Sequence, residues 1–255
     1  MRSLPSGATA LIQGASGGIG SALVSQLLQH EHVERVYAAT RSPGAEQLAA
    51  LSGQDPRLTI VPLDLEDSAS VADAASMVAA ETNRCDLIVN CAGLLHDEGT
   101  GMAPERRLSA VRAADMERAF RVNAIGSLLV AQAFESMLRR APAPVFAAIS
   151  ARVGSITDNR LGGWYAYRAS KAALNMGLRT LAIEWGRGSP PIRVFALHPG
   201  TVSTGLSAPF TRRNTGPKKV FSPEQAATQL LDVLDGAGPA ATGIFLDWQG
   251  RPIPW

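Results

Sequence analysis

Residues 165 to 171, YAYRASK, hold two tyrosines and a lysine within two helical turns. On a helix, side chains four apart share a face and those six apart do not. Tyr167 and Lys171 are four apart, whereas Tyr165 and Lys171 are six apart, so Tyr167 is the tyrosine that faces the lysine. An unperturbed tyrosine loses its proton near pH ~10, and a neighbouring cation favours the phenolate and brings that value down. Such a pair is an acid/base unit that can hand a proton to an oxygen on which negative charge develops. Ser150 and Ser155 stand just upstream in ISARVGS, as hydroxyls that could work with it.

A second constellation lies in ALIQGASGGIGSALVSQLL, where Gly14, Gly18 and Gly20, with Ser16 and Ile19 between them, sit at a predicted strand-to-helix turn. A dinucleotide's pyrophosphate needs close backbone approach, positive φ at one turn position and the free N–H groups of a helix N-terminus. Glycines supply the first two and the helix supplies the third.

These residues must be held by a scaffold, and the rest of the chain describes one. Its 255 residues, 46% hydrophobic and 18% charged, can bury one large core, and no linker divides them. Short apolar runs at 8–14, 35–40, 58–64, 86–93, 144–150, 192–200 and 242–248 read as strands, mostly apolar on both faces. Between them, 21–30, 68–82, 116–140, 165–186 and 223–236 show helical periodicity. The alternation predicts a single-domain α/β Rossmann fold over residues 1–255, a doubly wound seven-stranded parallel sheet with helices on both faces. The irregular segments 94–110 and 204–221 carry Gly, Pro and charge and are expected to surround the ligand crevice.

Composition narrows the partners. A net charge of +2, dispersed along the chain, points away from nucleic acid and membrane and toward a small molecule. Cys85 and Cys91 lack metal-site spacing and read as buried thiols. No signal-peptide pattern or long apolar run is seen, so a cytoplasmic location is expected.

The ordered set of Gly14, Gly18 and Gly20, LDL at 63–65, NCAG at 90–93, VNAIG at 122–126, Tyr-x-x-x-Lys at 167–171 and HPG at 198–200 resembles the short-chain dehydrogenase/reductase family. The C-terminal TGIFLDWQGRPIPW and the run GGWYAYRASKAALN are similar to the branch of C-factor-like proteins and sniffer-type carbonyl reductases. The resemblance implies that Asp64 and Leu65 hold the adenine and that Asn90, Ala92 and Gly93 lie along the adenosine half of the cofactor. It further implies that Pro199, Gly200, Val202 and Thr204 approach the nicotinamide. Tyr167 becomes the general acid for carbonyl reduction, or the base for alcohol oxidation. Lys171 then binds the nicotinamide ribose and lowers the tyrosine pKa, and Asn123 holds a water in the proton relay. Gln13 replaces the family's usual threonine, and its amide is expected to keep the brace that the hydroxyl normally makes.

An acidic side chain at the end of the second strand would accept the ribose hydroxyls and favour NAD. YAATRS has none, and Arg41 could pair with a 2′-phosphate, so NADP is expected over NAD. In the family a serine two residues past the fifth strand's last apolar position contacts the substrate oxygen. Here that place is Ala151, leaving Ser150, Ser155 or no serine for the role. Strand parity counts against Ser150 unless the strand end twists. Ser155 has near-family spacing to Tyr167, blurred by the RLGGW stretch. His96 and His198 read as structural or pocket-lining residues, and Arg212, Arg213, Lys218 and Lys219 as loop charge or as attraction for an anionic substrate. Ala169, Ala172, Ala173 and Met176 give the helix of Tyr167 a smooth surface, and the family commonly pairs through this helix; a homodimer or homotetramer is expected. A cofactor-binding signalling protein with vestigial turnover is the alternative function.

Overall fold

The computed structural model describes residues 3–211, 219–238 and 240–255. Its sheet has the order β3-β2-β1-β4-β5-β6-β9, every pairing parallel. The strands are β1 (Ala8–Gln13), β2 (Val33–Thr40), β3 (Leu58–Pro62), β4 (Leu87–Asn90), β5 (Val145–Ile149), β6 (Arg193–His198) and β9 (Ile244–Asp247). They are the seven strands expected. A separate parallel pair, β7 (Thr201–Val202) and β8 (Val220–Phe221), brackets the late loop.

Alternate residues of each strand feed opposite faces. In β5, Val145, Ala147 and Ile149 join a core with α1 (Gly18–Leu28) and α8 (Pro223–Gly236). Phe146 and Ala148 point the other way, toward α3 (Ser68–Glu81), α5 (Gly126–Leu138) and α6 (Tyr165–Trp185). Trp185 closes that side, its ring edge-on to Phe146 at 5.7 Å. Burying one such aromatic contributes about 1.5–3 kcal/mol.

Besides the β7–β8 pair, several helical elements differ from the sequence reading. Helix α2 (Glu46–Gln54) was not expected, since it is short and Leu48 is its one fully buried hydrophobic side chain. The single helix expected over 116–140 is instead α4 (Ala113–Phe120), a π-helical turn at Arg121–Ile125, and α5. Single π turns are frequent at functional sites, and this one holds Asn123. A further unexpected helix, α7 (Ala208–Thr211), is one turn in the late loop.

Strand order reverses between β1 and β4, which opens a crevice at their carboxyl ends. The motif residues converge there.

Candidate active site

The glycine turn is built for backbone approach. Gly14 has φ +78°, and a Cβ on it would lie 2.6 Å from the Ala92 amide nitrogen, so this turn and the NCAG turn touch through backbone. A Cβ on Gly20 would strike the Gly14 carbonyl. Helix α1 begins at Gly18 with no side-chain cap, leaving its first N–H groups directed outward. The expected brace is present: Gln13 Oε1 accepts from Ala92 N at 3.4 Å. Ser16 meets Thr40 by hydroxyls at 2.8 Å, tying the turn to the end of β2.

From this turn a cavity of about 700 Å³ runs to the Tyr167–Lys171 pair. Ser16, Gly18, Ile19, Arg41, Asp64 and Leu65 are among the residues that line it. Ala92, Gly93, Pro199, Gly200, Val202 and Thr204 line it as well. Asp64 Oδ1 accepts from Glu66 N, and Glu66 in turn lies 3.7 Å from the largely exposed Arg41 guanidinium. The volume, the glycine cradle and the uncapped helix end fit a dinucleotide.

Asn90 and Asn123 are buried, and neither is among the residues that line the cavity. Asn90 Nδ2 donates to Ser127 Oγ at 2.7 Å and so joins β4 to α5. Asn123 Oδ1 accepts from Leu94 N at 2.7 Å, and its Nδ2 donates to Leu94 O at 2.8 Å and to Ser170 Oγ at 2.9 Å. Its amide therefore clamps the chain after NCAG, with its side-chain atoms committed to protein partners.

Tyr167 is buried beside Lys171, whose Nζ lies 5.9 Å from the ring centroid, while Tyr165 is 38% exposed. The tyrosine four residues from the lysine is the one that lies beside it. Lys171 Nζ donates to Ile149 O at 2.8 Å, fixing it to the end of β5. The expected lowering of the tyrosine pKa is not what the protein alone produces. Burial pushes Tyr167 up to about 12 and draws Lys171 down to about 8, because each charged form loses water. Burial likewise lifts the Cys91 thiol to about 12, and Cys85 is raised as well. Both cysteines are free thiols.

Of the two serines, Ser150 reaches the cavity wall and Ser155 does not. Ser150 Oγ donates to Asn175 Oδ1 at 2.6 Å, one helical turn beyond Lys171. Ser155 Oγ accepts from Asp158 N at 3.1 Å.

The sequence reading missed the aromatic wall. Trp164 has left-handed φ 54° and ψ 46°; its ring lies 6.2 Å from Tyr167 and 5.1 Å from Phe210 of α7. Gly162 and Gly163, both at positive φ, make the turn that presents it, and that pair was the available signal. His96 Nε2 lies 3.3 and 3.2 Å from the carbonyls of Gly205 and Leu206, so it ties the early loop to the late one. His198 lines the cavity, drawn down to about 4 mainly by burial, which suits a neutral wall residue. Arg212, Arg213 and Lys218 lie outside the described residues. Lys219 stacks over Phe221 at 5.1 Å and Trp248 at 5.8 Å.

Comparison with known proteins agrees with this geometry. The short chain dehydrogenase family model matches residues 8–215. C-signal of Myxococcus xanthus is 37% identical over 183 residues, 70% of this chain and 100% of that protein. An NADPH-bound carbonyl reductase from chicken fatty liver superposes with a TM-score of 0.87 at 30% identity, over 99% of this chain and 95% of that one. Carbonyl reductase Sniffer of D. melanogaster shares the fold, with a TM-score of 0.84 at 22% identity over 98% and 100% of the two chains. The matched stretch includes both the glycine turn and the Tyr167–Lys171 pair, and the chain belongs to the short chain dehydrogenase family and is an NAD(P)-dependent oxidoreductase.

Proposed function

We propose that this protein reduces an aldehyde or ketone with NADPH and, in reverse, oxidises the alcohol. The observation that carries the reading is the meeting of Tyr167 and Lys171 on the wall of the same cavity that begins at the glycine turn. Bound there, reduced nicotinamide supplies the hydride. Tyr167 donates the proton to the developing alkoxide, and Lys171, cationic at neutral pH, favours the phenolate left behind. Ser150 supplies the hydroxyl toward the substrate oxygen by turning its O–H from Asn175. Asn123 keeps the turn after Gly93 in place. Asp64, Leu65, Ala92 and Gly93 receive the adenosine half, and Pro199 to Thr204 the nicotinamide.

Arg41 supports NADP. It stands on the cavity rim at the end of β2, 62% exposed and only loosely paired with Glu66, so its planar fork is available to a 2′-phosphate. The chicken carbonyl reductase is itself NADPH-bound. Initial rates with an aromatic aldehyde and either cofactor test the choice. NADPH is expected to give at least tenfold higher kcat/KM, and Arg41→Ala to erase the difference; equal or better use of NADH overturns it.

The second reading, a cofactor-binding signalling protein with vestigial turnover, draws on two facts. The C-signal match is one, and Ala151 at the place of the family serine is the other. A panel of carbonyl compounds followed by NADPH absorbance separates the two. Binding of NADPH without turnover across the panel would favour signalling. No helix among the described residues is long and apolar enough to cross a membrane. We propose, with the reductase reading, a cytoplasmic, homo-oligomeric protein that folds as one domain over residues 1–255 and takes a small-molecule substrate.

A further inference from the structure

Helix α6 carries both Tyr167 and Lys171, yet its N-cap residue, Trp164, offers no side-chain hydrogen bond to the helix. The first N–H groups of any helix need partners from outside it. Here the partner comes from the irregular segment 94–110. Glu105 is buried at 5% exposure, and its two carboxylate oxygens lie 3.4 and 3.3 Å from Ala166 N. Its backbone carbonyl accepts from Trp164 N at 2.5 Å. One residue thus holds both the cap position and the second residue of the catalytic helix.

Gly163 wraps so tightly that an added Cβ would sit 3.2 Å from the Glu105 carbonyl oxygen. With Gly162 it forms a left-handed turn that continues into Trp164 at φ 54°, whose indole lies against Tyr167 and Phe210. Nearby, Met102, Ala119 and Ala166 pack as a small apolar cluster with Leu94 and Met116. A carboxylate withdrawn from water is costly unless polar groups replace the water, and the Ala166 N–H at the positive end of α6 is shared between its two oxygens.

We propose that Glu105 is the positioning residue of the active site, setting the first turn of α6, and with it Tyr167 and the Trp164 wall, through its carboxylate and its carbonyl. The inference rests on the carbonyl-reductase reading for its kinetic arm and on nothing beyond the fold for its exchange arm.

Glu105→Asp keeps the charge but falls one methylene short, Glu105→Ala removes the group, and Glu105→Gln keeps an oxygen at the original reach. Asp and Ala are expected to lower kcat about tenfold while the NADPH dissociation constant, from fluorescence titration, stays within twofold. Gln is expected to restore kcat to within twofold of wild type. In hydrogen exchange followed by mass spectrometry, peptides over 164–171 should exchange faster in Asp and Ala, but not in Gln, with the rest of the chain unchanged.

Wild-type kcat in both Asp and Ala, a loss of cofactor binding equal to the loss of kcat, or equal losses in Gln and Ala would overturn the proposal. If Glu105→Ala does not fold, Asp against Gln decides. If wild type turns over no carbonyl, the functional reading fails, and the exchange comparison alone judges the positioning role.

Discussion

Lys171 remains cationic at neutral pH inside the protein because burial draws it down to about 8 and no further, and that displacement has a thermodynamic consequence. In the unfolded chain the same lysine titrates near 10.5. Between those values the unfolded chain holds the extra proton, so the free energy of unfolding rises with pH across that window. Tyr167 acts oppositely. Its folded value near 12 exceeds the ordinary 10.0, so between them the folded chain holds the extra proton and stability falls as pH rises. Urea unfolding of wild type and Lys171→Met at intervals from pH 7 to 10 checks this. The wild type should gain stability relative to the variant above pH 8; parallel curves would count against the buried lysine.

Ser150 gives the second test at this scale. Loss of one donor to a developing oxyanion costs about 10²-fold or more in kcat. Ser150→Ala is therefore expected to lower kcat by that order, Ser155→Ala to leave it nearly unchanged, and Tyr167→Phe to be inactive. Near wild-type turnover in Ser150→Ala removes the assignment, and a matching loss in Ser155→Ala moves the role there. The strand parity that counted against Ser150 is met differently in the structure. The chain is still extended at Ala151, and the 3₁₀ turn Arg152–Gly154 follows, with Ser150 on the wall and Ser155 behind it.

At the scale of elements, that 3₁₀ turn packs directly on α6. A Cβ at Gly154 would lie 2.8 Å from Lys171 Cβ and 3.0 Å from its backbone carbon, so no side chain fits without moving the lysine. Gly154→Ala is expected to lower kcat/KM about tenfold and to destabilise by about 1–3 kcal/mol, as overpacking does. In a domain of this size that is several degrees in Tm. Unchanged melting and kinetics would show that the turn gives way freely.

The same packing explains what could be read beforehand. Strands such as VFAAI at 145–149 are apolar on both faces because both faces are covered, and such runs are hard to miss. The four-residue spacing of Tyr167 and Lys171 is local and equally legible. The π turn at Arg121–Ile125 was not, since its sequence keeps helical periodicity and only the clamp of Asn123 on Leu94 reveals the widened winding. Glu105 and Trp164 meet across 59 positions of chain, and Trp164 and Phe210 of the aromatic wall meet across 46. Neither has a spacing rule.

At the scale of the whole molecule, α6 links the active site to a surface. Its inner face buries Leu174, Leu178 and Trp185 against the sheet, while Met176 is 67% exposed and Ile183 50% exposed. These two are seven residues apart and so lie on one stripe, with the half-buried Ala169, Ala172 and Ala173 along the same helix. A smooth stripe of small and apolar side chains lets a second copy of the helix approach closely, in the self-complementary manner of a two-fold interface. The expected outcome is a dimer or tetramer of the 26.8 kDa chain by light scattering at micromolar concentration. Met176→Glu with Ile183→Glu should shift the population to monomer, since opposing carboxylates would be buried without partners. Because the stripe and the Tyr167–Lys171 face belong to one helix, dissociation should also loosen α6 and lower kcat. A wild-type monomer, or a charged variant that assembles as wild type does, refutes the interface.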